Sequence, residues 1–140
     1  MDTEIQLKKD IINYCLSKLQ EDLQSASDAL SSTKELASGA EMKAESKWDT
    51  RGIEAGFLAG AQQKRVTQIE IELAALKELG DNLRRQDSVG IGSVVVCEDK
   101  KYFITSKTGG MKFKEYTIVS ISSPVALKLL DDEIEILEIW

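Results

Sequence analysis

Histidine is absent from the 140 residues, which removes imidazole acid–base chemistry and histidine metal sites from consideration. Proline occurs once, as Pro124, so nothing of that kind breaks a helix anywhere before it. The two cysteines, Cys15 and Cys97, lack metal-type spacing and fit ordinary packing roles in a reducing compartment. No apolar run approaches the ~20 residues needed to span a bilayer, and no basic leader with an apolar core opens the chain. The expectation is a cytoplasmic protein with no membrane partner. Lys and Arg number 18 against 24 Asp and Glu, a net charge of -6. A basic excess for neutralising phosphates is missing, which argues against a nucleic-acid coat and against direct sequence-specific binding.

What the chain does have is two long stretches of helical period. Ile5, Ile12, Leu16, Leu19, Leu23, Ala26, Leu30, Thr33 and Ala37 recur in steps of four and three, with Lys9 as a charged intruder. Trp48, Gly52, Ala55, Ala59, Gln62, Val66, Ile69, Leu73 and Leu76 form a second such series. Each is a coiled-coil seam. Gly39, in Ser38-Gly39-Ala40, supplies a residue able to end a helix in the left-handed conformation. The pattern predicts an antiparallel hairpin over residues 1–80, with facing positions summing to about 78 and Ile12 opposite Val66. At ~1.5 Å per residue each arm would be roughly 50 Å long, more than a compact domain needs. Such an arm reaches into something.

Just past the expected turn, Glu41, Glu45 and Asp49 fall at i, i+4 and i+8, one face of a helix. Acidic residues are ordinary near a helix start, and Lys43, Lys47 and Arg51 offset them; a carboxylate cluster also suits a divalent ion or a basic surface. Ile53, Phe57 and Leu58 lie off the seam. That stripe either thickens the hairpin or contacts a partner or a second copy, giving a homodimer.

Residues 81–90 read as a polar linker, and from Ile91 the period changes. Residues 91–97 form a β-branched strand, Lys101 to Thr105 its hairpin partner, and Tyr116 to Ser120 a third strand. Ser123 then caps a short helix that has Pro124 at its first position, and residues 133–140 alternate as a closing strand. The fold class is therefore α+β: a long antiparallel helical hairpin, then a small sheet domain over residues 91–140 with one short helix.

A helical hairpin followed by a strand domain containing Ile121-Ser122-Ser123-Pro124-Val125-Ala126-Leu127-Lys128-Leu129-Leu130 resembles the Gre transcript-cleavage factors of bacterial RNA polymerase. Their C-terminal domain has an FKBP-like fold and carries an Ile-Ser-x-x-Ser-Pro-(small or Leu)-x-x-x-Leu segment. A group of short Gre-like proteins is more similar still. There, Ser46-Lys47-Trp48-Asp49-Thr50-Arg51-Gly52 corresponds to an acidic-Lys-aromatic-acidic-Thr-Gly segment, and Lys101-Tyr102-Phe103-Ile104 to a Tyr-Phe-Ile strand. The likeness covers the second half of the hairpin and nearly all of the sheet domain.

The resemblance implies an elongation factor that binds RNA polymerase, with the sheet domain at the rim of the secondary channel and the arm inside it. Ser122, Ser123 and Pro124 are the implied docking residues. Glu41, Glu45 and Asp49 are the implied tip carboxylates, acting in the polymerase active centre. The resemblance further implies no catalytic residue, metal site or cofactor of the chain's own, with Mg²⁺ entering only in the complex, where the polymerase's own nuclease centre would cleave backtracked RNA. Cleaving Gre factors carry an Asp-x-x-Glu pair just after the turn; here Glu41 and Glu45 are spaced by four. A non-cleaving regulator in the same channel, or a coiled-coil scaffold, stands as the alternative.

Overall fold

The computed structural model describes residues 3–43 and 51–140, with side chains described over 3–36 and 56–140. Two long helices, α1 (Thr3–Lys43) and α2 (Arg51–Asp81), precede strands β1 (Val94–Val96), β2 (Lys101–Thr105), β3 (Met111–Phe113) and β4 (Tyr116–Ser120), then helix α3 (Pro124–Leu130) and strand β5 (Glu138–Ile139). This is the α+β class expected, a helical pair followed by a small sheet with one short helix. The chain forms two compact units: one joins Met1–Lys18 to Glu72–Trp140, and the other is Leu19–Ile71.

The expected turn is displaced. Ser38, Gly39 and Ala40 lie within α1, which continues to Lys43; a glycine inside a helix costs only ~1 kcal/mol, too little to stop one without other breakers. The register moves with it. A Cβ built on Gly80 would lie 3.5 Å from Ile12 Cγ2, a pair whose numbers sum to 92 rather than 78, so Ile12 does not face Val66. The composition of the seams survives this shift. Ile12, Leu19, Leu30 and Thr33 of α1 are buried, as are Val66, Ile69, Leu73 and Leu76 of α2, whereas Lys9 is exposed.

Lys8, Ile11 and Cys15 are also buried, each at 0% exposure, and they belong to no hairpin seam. They form a second stripe on α1, stepping by three and four beside the first, and its counterpart lies in the sheet. The strand order is β3-β4-β2-β1-β5, with β2 and β4 parallel and the other pairs antiparallel. Alternation along the strands gives the sheet two faces. Val95, Cys97, Tyr102, Ile104 and Val119 pack with Ala126 and Leu129 of α3. Val94, Phe103 and Ile118, all fully buried, point the other way. On that side Tyr14 meets Phe113 at 5.3 Å between ring centroids, and the Lys8 amine sits 5.9 Å from the Trp140 ring centroid. The first turns of α1 thus cover the face that α3 leaves open.

Three strand expectations change in detail. Strand β1 begins only at Val94, because Gly92 takes φ +90, and a Cβ there would meet Gln86 Nε2 at 2.9 Å and Leu79 Cδ1 at 3.0 Å. Strand β3 was not expected; it follows Gly110, at φ +79, and pairs Met111, Lys112 and Phe113 with β4. The closing strand shrinks to Glu138–Ile139, since Ile134 and Ile136 pack against the α3 side of the core. Among the described residues no helix is long and apolar enough to cross a membrane.

Candidate functional site

The Ser-Pro segment sits where the two parallel strands end. The Ile121 amide donates to the Thr105 carbonyl at 2.8 Å, which joins the exits of β2 and β4, and the Ser123 amide donates to the Ser120 carbonyl at 3.0 Å. Ser123 then caps α3: its backbone is extended, φ -68 and ψ 154, and its hydroxyl accepts from the Ala126 amide at 3.2 Å. Pro124 follows in the first turn of the helix, where the missing amide hydrogen has no intrahelical acceptor to lose. Ser122 and Pro124 are exposed and Ser123 is half-buried, with the Ser122 and Ser120 hydroxyls 3.3 Å apart. Of the three docking candidates, Ser123 is committed to the cap, whereas Ser122 and Pro124 present surface. Ser123→Ala should lower stability by about 1 kcal/mol, read from the urea midpoint, with Ser123→Gly costing less.

A second loop shares this end of the sheet. Gly109 approaches β4 so closely that a Cβ there would stand 3.2 Å from the Ser120 amide nitrogen. The Gly110 amide donates to the Ile118 carbonyl at 3.1 Å, and the Thr105 hydroxyl donates to the Thr108 carbonyl. Leu127 and Leu130, on the outer side of α3, are 49% and 45% exposed, and Leu137 is 60% exposed. Sequence reasoning did not single these out. The usable signal was the spacing of α3, where buried Ala126 and Leu129 leave Leu127 on the far side; Leu130, one turn after Ala126, is exposed at the end of the helix, which spacing alone does not foretell. Asp131, Asp132, Glu133 and Glu135 follow at once, so this apolar surface has an acidic border.

Glu45 and Asp49 lie outside the described residues. Glu41 is in α1, but its side chain, like that of Ile53, lies outside them too. The tip carboxylates are therefore not brought together by anything described. Phe57 and Leu58 are 77% and 53% exposed and do not thicken the seam. Among the described residues no group of three or more Cys, Asp or Glu could hold a metal ion.

Burial pushes the Cys15 thiol up to about 11 and raises that of Cys97, so both stay protonated and weakly nucleophilic at neutral pH. The hydrogen bond from Lys101 to Glu115, 3.0 Å long, raises the lysine's pKa; being exposed, the pair contributes little to stability. An open cleft of about 340 Å³ is lined by Cys97, Glu98, Asp99, Tyr102, Ile134 and Glu135.

No family model and no curated protein matches the chain. Among solved structures, the crystal structure of the GreA factor homolog 1 protein (Gfh1) of Thermus thermophilus matches at 20% sequence identity over 82% of this chain and 77% of that one, with a TM-score of 0.27. A score that low carries no argument, and the fold stands on the elements described above.

Proposed function

We propose that this chain is a Gre-type factor that binds RNA polymerase, docking through its sheet domain while its helical pair enters the secondary channel. The observation that supports the reading best is the β4–α3 junction. The segment that resembles the Ser-Pro segment of the Gre C-terminal domain is a strand exit with Ser122 and Pro124 presented and Ser123 holding the cap. Exposed leucines beside it add apolar contact surface of the kind partner sites use. The two long helices supply the element that such a factor inserts.

On this reading the chain is an accessory protein, and the chemistry belongs to the polymerase. The carboxylates of Glu41, Glu45 and Asp49 would meet Mg²⁺ only in the complex, because one or two carboxylates seldom hold that ion without further ligands. The test adds the protein to a backtracked polymerase complex with Mg²⁺ and follows RNA length. Shortening of the transcript that is lost on joint replacement of Glu41 and Glu45 by alanine, with polymerase capture unchanged, is the expected result. Capture and inhibition without shortening would make the chain a channel-blocking regulator. No capture of polymerase at all would end the proposal.

A further inference from the structure

We infer that the exposed face of α2 around Phe57 is a self-complementary contact through which two copies of this chain pair, helix against helix and antiparallel. The inference does not depend on the polymerase reading. From Ala55 to Gln63 α2 runs nine residues without a charge, in a chain that is 30% charged. Phe57 is 77% exposed there, and Gly56 and Gly60 have nothing within 4 Å of where a Cβ would stand. Glycine weakens an exposed helix, yet here two glycines, one turn apart, flank the single aromatic residue of α2. A ridge and an open shelf side by side on one helix are what a two-fold contact requires, since each copy must supply both.

The order of charges along α2 is self-complementary, which fits a second copy as the occupant. Copies carrying a net charge of -6 repel over most of their surface, and the uncharged stretch is where two long helices can meet without that repulsion. Its ends have opposite sign: Glu54 precedes it and Lys64-Arg65 follow it. Seating Phe57 on Gly60 of the second copy fixes an antiparallel register in which large faces small twice. The same register brings the position of Glu54 within one helical turn of Lys64 in the second copy, and the reverse. The inward face of α2, which carries Val66, Ile69, Leu73 and Leu76, stays in the hairpin seam and is not needed for the contact.

Sedimentation equilibrium of the full chain tests this. The wild type should show a monomer–dimer equilibrium. Phe57→Asp and Gly60→Leu should each give a monomer with unchanged helical circular dichroism, because both positions are open in the single chain. Glu54→Lys and Lys64→Glu should each weaken the dimer about tenfold or more by placing like charges together, and the double reversal should restore it. A wild type that sediments as a monomer at every soluble concentration overturns the inference. So does a dimer indifferent to Phe57→Asp, or a double reversal no better than either single one.

Discussion

A fragment comprising residues 91–140 should fail to fold: its thermal melt should be broad and its near-ultraviolet dichroism flat, while the full chain melts cooperatively. The sequence reads residues 91–140 as a small sheet domain, and its sheet has two apolar faces and only one short helix. Val95, Tyr102, Ile104 and Val119 are covered by α3, whereas Val94, Phe103 and Ile118 lie on the side where α1 packs. Exposing three such side chains forfeits ~1.5–3 kcal/mol each, a loss comparable to the whole 5–15 kcal/mol that holds a typical domain together. Fifty residues are also few for an independent core. A sharp, reversible transition for the fragment, with native-like near-ultraviolet signal, would show that the α1 contacts are dispensable.

The same geometry explains which parts of the fold were legible. Strands β2 and β4 and helix α3 were read at their observed bounds, because their signals are local: Tyr102-Phe103-Ile104 and Thr117-Ile118-Val119 are strand formers, and Ser123-Pro124 is a helix start. The turn at Gly39 was misplaced because a glycine permits a helix end without enforcing one. Strand β3 escaped notice since Met111-Lys112-Phe113 is short and its pairing with β4 is a tertiary fact. The second stripe of α1 was present as Lys8, Ile11 and Cys15, but a lysine at its head reads as solvent-facing, and only the sheet behind it shows otherwise. At the candidate site the Ser-Pro cap was legible for the same local reason. Exposed Leu127 and Leu130 were not, because leucine in a short helix reads as core until the packing is known.

Lys8→Ala should destabilise the protein by about 3 kcal/mol, and Lys8→Met by clearly less. The Lys8 amine donates to the Arg84 carbonyl at 2.8 Å and lies on the Trp140 ring side, while the residue as a whole is 0% exposed. A hydrogen bond from a charged donor contributes ~1.5–3 kcal/mol. The aliphatic stem adds packing that alanine deletes and methionine largely keeps. The ring contact, at the far edge of useful cation–π range, adds a smaller share. Burying an ammonium is itself costly, so an apolar side chain of similar length recovers part of what the lost bond gives up. Between these effects the stem decides the order of the variants and the bond decides the size of the loss. Urea unfolding at constant slope would read both, since a shift in midpoint alone reports stability. Should Lys8→Ala unfold at the wild-type midpoint, the tie from α1 to residue 84 and to Trp140 carries no stability. Should Lys8→Met be the worse of the two, the space around the stem does not accept an apolar chain of that length, and the packing share assigned to the stem is wrong.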